Sequence, residues 1–372
     1  ECLDKIMGAS SHLLSLINDV LDVSRIESGR IVLSEDTFSL PEIFDNMINM
    51  ISPQIMNKHL ELFVDICGVI HEDVIGDSLR LQQIFMNIVG NAIKYTPEGG
   101  KISVSLKEIP SDTALRSEYV FTCKDTGYGM TPEFVKKLFV PFERAEDERI
   151  KGIQGTGLGM VITKNILEMM NGDIKVESEY GKGSTFSAHF RMKNQNKLIE
   201  NDTIPKDMSV LLVDDDEATG ESTSLTLDSL GISNTYVSTG KDAIDAVKKL
   251  HDRNESFRVC LIDWKMPDMD CMEIIRQVRR YGGENMAIVI ISAYDWSEIE
   301  MNARAAGANS FMTKPLFRSK LIGKLKEVTD EILPEQKENI LEKYTEKHYE
   351  DKRILLVDDN ELNREIASEI LG

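Results

Sequence analysis

Four apolar runs in the second half of the chain end in side chains suited to handling phosphate. Asp214 and Asp215 follow "VLLV", Asp263 follows "VCLI", Ser292 closes "VIIS", and Lys314 follows "FMT". A parallel, doubly wound sheet gathers its chemistry at the C-terminal ends of its strands, so these groups would share one edge. Three carboxylates there repel one another, and burial pushes protons onto them. A hard divalent ion such as Mg2+ relieves the repulsion and keeps positions open for water and a phosphoryl oxygen. A carboxylate beside that ion is a competent nucleophile toward phosphorus, with an aspartyl phosphate as the product. Lys314 can then neutralise the phosphoryl group while the Ser292 hydroxyl donates to it. Pro315, directly after Lys314, suits a fixed bond that aims the lysine. A lone Asp-Asp after a strand is usually a turn; four strand ends bearing compatible groups in order are far more specific.

The first half holds a second set. "GTGLG" (Gly155 to Gly159) opens a helix, where bare backbone N–H groups can meet phosphate. "DTGYGM" (Asp125 to Met130) follows a strand. Its glycines allow close backbone approach, and Asp125 can accept from an adenine amino group. "RLQQIFMNIVGNAIKYT" is an amphipathic helix with Leu81, Ile84, Ile88 and Ala92 on its apolar face. Asn87 and Asn91, four apart, share one side of it, with Lys94 a turn further on. Amides buried without a ligand are costly. In a nucleotide pocket one of them can ligate Mg2+, and Lys94 can meet a phosphate. "FVPFERA" begins a stretch suited to a mobile lid, and "GKGSTF" adds a tight turn with a hydroxyl.

These groups need rigid elements to hold them. The chain has 372 residues, 41% apolar and 28% charged, which fits two or three globular domains. A net charge of −20 argues against a nucleic-acid partner. No apolar run reaches the roughly 18 residues of a membrane helix, and the first residues lack a signal-peptide pattern. Five cysteines without a C-x-x-C pair suit a reducing cytosol. Leu3, Ile6, Ser10, Leu13, Ile17, Val20 and Ser24 form a heptad seam, which a lone helix cannot bury. Helical stretches (Pro41–Lys58, Ser78–Tyr95, Pro132–Leu138, Leu158–Met170) then mix with strands (Lys101–Lys107, Tyr119–Lys124, Asp173–Glu179, Ser184–Arg191). Beyond a polar connector, apolar strands alternate with amphipathic helices, the pattern of a parallel sheet covered on both faces.

The motifs "LLVDDDE", "LIDWKMPDMD", "VIISAYD" and "FMTKP" resemble those of a response-regulator receiver domain. The resemblance implies an acidic metal-binding pair in Asp214 and Asp215, with Asp263 as phosphoacceptor and a metal ligand. It also implies Ser292 and Phe311 as switch residues, and Lys314 as the phosphate-neutralising lysine. From Asp77 to Phe190 the asparagine helix and glycine loops resemble the ATP-binding domain of histidine kinases, of the gyrase, chaperone and kinase ATPase superfamily. On that resemblance Asn87 holds Mg2+ with the phosphates, Asn91, Lys94 and Tyr95 line the pocket, and Asp125 reads adenine. Gly127 and Gly129 form the first glycine box, Gly155, Thr156, Gly157, Leu158 and Gly159 wrap the phosphates, and Thr185 belongs to the last box.

The fold expected is an α+β two-layer ATPase sandwich with an N-terminal helix, followed by an α/β doubly wound, flavodoxin-like receiver. The segments expected are a dimerisation-hairpin helix (1–30), the ATP-binding domain (37–193), a linker (194–207), the receiver (208–330), a charged linker (331–352) and the start of a second receiver (353–372). The last rests on "RILLVDDNELNREIASEILG", in which Asp358 and Asp359 repeat the acidic pair. The whole resembles a hybrid histidine kinase of a two-component phosphorelay, with ATP and Mg2+ as cofactors. Its expected partners are a phosphohistidine-bearing hairpin or phosphotransfer domain and a downstream regulator. It would be a homodimer at full length, in the cytosol or on the cytosolic side of a membrane-anchored sensor. None of the six histidines has the context of a phosphoacceptor. The chain is therefore read as a fragment that binds ATP without autophosphorylating. The alternative reading is a signalling scaffold whose ATP module senses or hydrolyses nucleotide.

Overall fold

Alternating burial along "KISVSLKEI" marks a strand with one face in a core, and the first domain is built on such strands. The structure, a computed structural model, describes residues 32–109, 115–145, 155–195, 208–292 and 300–332, with residue 149 and parts of 14–28. Most of the expected hairpin helix, the chain from 333 to 352 and the repeat at 353–372 lie outside the described residues.

The first domain runs β1 (Asp36–Ser39), α1 (Leu40–Asn57), β2 (Glu61–Cys67), β3 (Asp73–Gly76), α2 (Ser78–Tyr95), β4 (Lys101–Ile109) and β5 (Arg116–Asp125). It continues with α3 (Pro132–Val135), α4 (Gly159–Met169), β6 (Asp173–Glu179) and β7 (Gly183–Asn194). The sheet order is β1-β3-β7-β5-β4-β2, with β6 also on β7. All pairs are antiparallel except β2 with β4. The apolar stripes of α1, α2 and α4 pack on one face of this sheet, closing a two-layer core around Phe44, Phe85, Phe121 and Phe190. Phe85 and Phe121 stack with centroids 4.0 Å apart, a contact that favours one helix position over the sheet.

Three short strands, β1, β2 and β3, escaped the sequence reading, and the helix expected at Pro132–Leu138 is a single turn, Pro132–Val135. Strand β2 reads "ELFVDIC" and sits at the sheet edge. Described residues of the N-terminal helical segment, Leu14, Ile17, Val20 and Leu21, are about half exposed.

The second domain is a five-stranded parallel sheet in the order β12-β11-β10-β8-β9. Its strands are β8 (Ser209–Val213), β9 (Ser233–Val237), β10 (Val259–Asp263), β11 (Ala287–Ser292) and β12 (Ser310–Thr313). Between and after them run α5 (Glu217–Ser229), α6 (Gly240–His251), α7 (Cys271–Gly282), α8 (Glu300–Ala306) and α9 (Arg318–Ile332). Strands β10 and β11 are buried at every position, as expected of strands covered on both faces. The described residues up to Val328 belong to one compact unit.

Candidate functional sites

Helix α2 begins where the Asp77 carboxylate accepts the Arg80 N–H, a side-chain cap of the first turn. Its buried face, Leu81, Ile84, Phe85, Ile88, Val89, Ala92 and Ile93, locks its rotation over the sheet. The opposite side carries Asn87, Asn91, Lys94 and Tyr95 into a cavity of about 390 Å³. The Asn87 amide donates to the Gly159 carbonyl (3.1 Å) and to the Thr163 hydroxyl (3.2 Å), tying α2 to the start of α4. Asp125, at the end of β5, is buried in the cavity wall. Its Oδ1 accepts from the Gly127 N–H (2.8 Å) and the Ser184 N–H (3.3 Å). Both backbone donors use the same oxygen, so Oδ2 is the atom left to recognise a ligand. Burial raises the Asp125 pKa, and those two N–H groups partly offset it.

Cationic groups face the same space. Burial lowers the Lys94 pKa, with Arg144 adding to the effect. Among the described residues Lys94 makes no ion pair, and its ammonium lies 5.0 Å from the Tyr95 ring centroid. A buried ammonium without a counterion is costly, and an anionic ligand would offset that cost. Gly129 (φ 63°) and Gly157 (φ 72°) adopt the left-handed region, where a side chain is strained. A Cβ on Gly129 would also run into the Glu179 carbonyl.

In the second domain the parallel register brings the ends of β8, β10, β11 and β12 to one edge. The Lys314 ammonium donates to Asp214 Oδ2 (2.8 Å) and Asp263 Oδ2 (3.0 Å). Its own N–H bonds the Ser292 carbonyl at 2.8 Å, and the Lys314–Pro315 peptide is cis. Asp214, Asp215 and Asp263 each offer a carboxylate oxygen within 4.8 Å of the others. Burial lifts the Asp214 pKa to about 6, with Lys314 opposing and Asp263 adding to it. Burial works against the charge on Lys314, yet Asp263 and Asp214 hold its pKa above the usual lysine value. Ser292 and Phe311 are buried beside the cluster's strands, and Arg304 lies over the Phe311 ring.

These two sites stand on domains with known counterparts. Residues 76–194 match the family described as histidine kinase-, DNA gyrase B- and HSP90-like ATPase, and residues 210–326 match the response regulator receiver domain. The chain joins a histidine-kinase ATPase domain to a receiver, the arrangement of hybrid sensor kinases. It is 27% identical over 359 residues to the sensory/regulatory protein RpfC of Xanthomonas campestris, covering 87% of this chain and 49% of that protein. It is 38% identical over 204 residues to the histidine-protein kinase BarA of Shigella flexneri, covering 54% of this chain and 22% of that protein. The chain thus spans half or less of the length of these curated relatives. The crystal structure of full-length ShkA with AMPPNP shares the fold, with a TM-score of 0.60 and 22% identity over 98% of this chain and 71% of that one.

Within the ATPase domain, three residues chosen from the motifs stand outside the cavity lining. Leu158 is fully buried in the apolar core, so it anchors the glycine loop by packing. Gly127 sits behind the wall, holding Asp125 through its N–H. Thr185 is one residue out of phase, because neighbours on a strand face opposite sides. Ser184 and Phe186 line the cavity in its place. The motifs missed the aromatic rim. Tyr128 and Tyr180 line the cavity, and the Arg149 guanidinium lies 5.1 and 4.2 Å from their ring centroids. Arg144, another lining residue, was already inside the "FVPFERA" stretch read as a lid.

No helix among the described residues is long and apolar enough to cross a membrane.

Proposed function

We propose that the ATPase cavity binds ATP with its adenine on Asp125 and its phosphates between Asn87, Lys94 and the glycine loop, and that Asp263 of the receiver accepts the phosphoryl group downstream. The observation that carries this reading is the pair of phosphate-ready sites in one chain: a half-buried lysine in a cavity that makes no ion pair among the described residues, and a lysine bridging two buried carboxylates. The γ-phosphoryl leaves ADP for a histidine nitrogen, then leaves that nitrogen for a carboxylate oxygen of Asp263. Positioning and charge neutralisation supply most of the catalysis in such transfers.

The histidine comes from outside this chain, because none of its six histidines has the context of an acceptor. Of those described, His71 faces Glu108 at 2.6 Å and Ser117 at 3.1 Å, so its Nδ1 is engaged. His59 is exposed just past the end of α1, His189 stands within strand β7, and His251 ends α6 beside Asp252. The half-exposed apolar face around Ile17 and Val20 is the surface on which a second copy would complete a helical bundle.

Mg2+ fits the receiver residues. Asp214, Asp215 and Asp263 would hold it, and their mutual repulsion is the cost a divalent charge offsets. When bound it supplies charge neutralisation at the phosphoryl oxygens. At the ATPase site both amide hydrogens of Asn87 are engaged, which leaves its oxygen as the ligating atom toward Mg2+.

Incubation of this chain with labelled ATP should give saturable binding without acid-labile, base-stable phosphate; that phosphate on this chain would overturn the assignment of an external histidine. Acetyl phosphate with Mg2+ should add one phosphoryl group, and Asp263→Asn should abolish the addition. Labelling that survives Asp263→Asn would overturn the assignment of Asp263.

A further inference from the structure

The receiver is anchored in the ATPase domain. Phe317, only three residues after Lys314, is fully buried and belongs to the ATPase core. Its ring meets Phe44 edge-to-face at 5.5 Å. Beside it, the Ser319 N–H at the start of α9 donates to both oxygens of Glu72 at 3.2 Å. Lys320 donates to Asp45 at 2.6 Å. A further contact is made by α5, whose Ser222 hydroxyl donates to the Ile66 carbonyl of β2 at 2.7 Å.

The edge strand β2 therefore packs against α5, the helix that directly follows Asp214 and Asp215 at the phosphoacceptor edge. Asp65 of β2 feels the charges of Asp216 and Lys314, and Glu61 feels that of Lys265, two residues past Asp263. Edge strands need covering, and here the receiver is the cover.

We propose that this docked arrangement is a latch that opens when Asp263 is phosphorylated. The inference rests on the reading of Asp263 as phosphoacceptor. The phosphoryl group would bring close to two extra negative charges to an edge whose charges Asp65 already feels. It would also draw Lys314 away from Asp214, and that lysine is joined to the Phe317 anchor by only Pro315 and Leu316. Both effects oppose docking.

Cys67 of β2 is a native reporter of the latch. Its thiol is half-buried and donates to Asp65 at 2.8 Å. Burial, with Asp65 adding to it, pushes its pKa up to about 12. An opened latch returns the thiol toward the ordinary cysteine range near 8.5, so alkylation should accelerate at least about tenfold.

The test uses the whole 372-residue chain. N-ethylmaleimide labelling of Cys67 is followed by peptide mass mapping, with and without acetyl phosphate and Mg2+, while intact mass counts phosphoryl groups. Acetyl phosphate gives up its phosphoryl group to an Asp263 oxygen, and acetate leaves. Phosphorylated chain should label at least about tenfold faster. Lys320→Asp should open the latch without phosphate, and adding Asp45→Lys should close it again, which a folding defect would not do. Full phosphorylation with unchanged Cys67 labelling overturns the latch alone. Absence of any mass gain on Asp263 overturns the phosphoacceptor reading and the latch with it.

Discussion

Replacing Lys314 by methionine keeps an unbranched stem and removes the charge on which the receiver site balances. The ammonium lies 2.8 and 3.0 Å from Asp214 and Asp263, and all three side chains are nearly shut off from solvent. At an effective dielectric near 20, each contact amounts to about 6 kcal/mol of attraction. Desolvation of the three ions offsets much of it, so the pairs contribute little net stability as they stand. Deleting one partner is different, because it leaves two buried carboxylates facing each other, at a cost of about 3–5 kcal/mol.

That cost depends on pH, and the direction follows from Asp214. Its pKa is raised to about 6, above the ordinary 3.8. Its contribution to stability is therefore complete below the ordinary value and is lost as pH rises through about 6. Without Lys314 the value climbs further, and a proton takes the lysine's place on acidification. Lys314→Met should thus destabilise the receiver by about 3–5 kcal/mol at pH near 7.5 in EDTA, and by about half as much at pH near 5. Millimolar Mg2+ at the higher pH should recover part of the loss. Each kcal/mol moves the melting temperature of a domain this size by roughly 4 °C, so scanning calorimetry resolves the effect easily. A loss under about 1 kcal/mol at pH near 7.5, or an equal loss at both pH values, would refute the charge-balance argument.

Three further outcomes follow from the ATPase cavity. Asn87→Ala should weaken ATP·Mg2+ binding by about 2 kcal/mol, or roughly thirtyfold, in titration calorimetry, with a melting temperature within a few degrees of wild type. Asp125→Asn keeps an oxygen for the Gly127 and Ser184 N–H groups but turns the outer atom from acceptor to donor. ATP should lose about a hundredfold in affinity and ITP, which presents a carbonyl, much less; equal losses would remove Asp125 from adenine recognition. Burial holds the Lys94 pKa below the usual lysine value of 10.5, so its charged form costs stability at neutral pH and that cost fades as pH rises through the lowered value. A bound phosphate should pull a proton back onto Lys94. ATP affinity should accordingly start to fall with rising pH before 10.5 is reached, and Lys94→Met should bind weakly with that slope gone.

Much of this was legible locally. Parallel-sheet strands of four or five apolar residues, each ending in an Asp, Ser or Lys, place those ends together by topology alone, since every strand in such a sheet points the same way. Helix α2 was equally plain, because one stripe of Leu, Ile and Ala faces the core and Asn87, Asn91 and Lys94 must then face the other way. Thr185 illustrates the limit of a motif: the turn was located, but only the pairing of Asp125 with Ser184 decided which alternate residue meets the cavity. Leu158 is similar, a residue inside a phosphate-loop pattern whose side chain goes to the core.

Strand β2 and Phe317 mark what no local pattern could supply. "ELFVDIC" is a short edge strand whose protection comes from a helix more than a hundred residues later in the chain. Phe317 reads as one more apolar residue after a lysine, and nothing in its neighbours says that it belongs to another domain's core. Residue types and their periods state which groups can handle phosphate, because that chemistry is carried by single side chains on regular elements. Which domain covers which edge, and hence whether the two sites are coupled, is set by contacts between residues distant in sequence, and only the assembled chain brings those together.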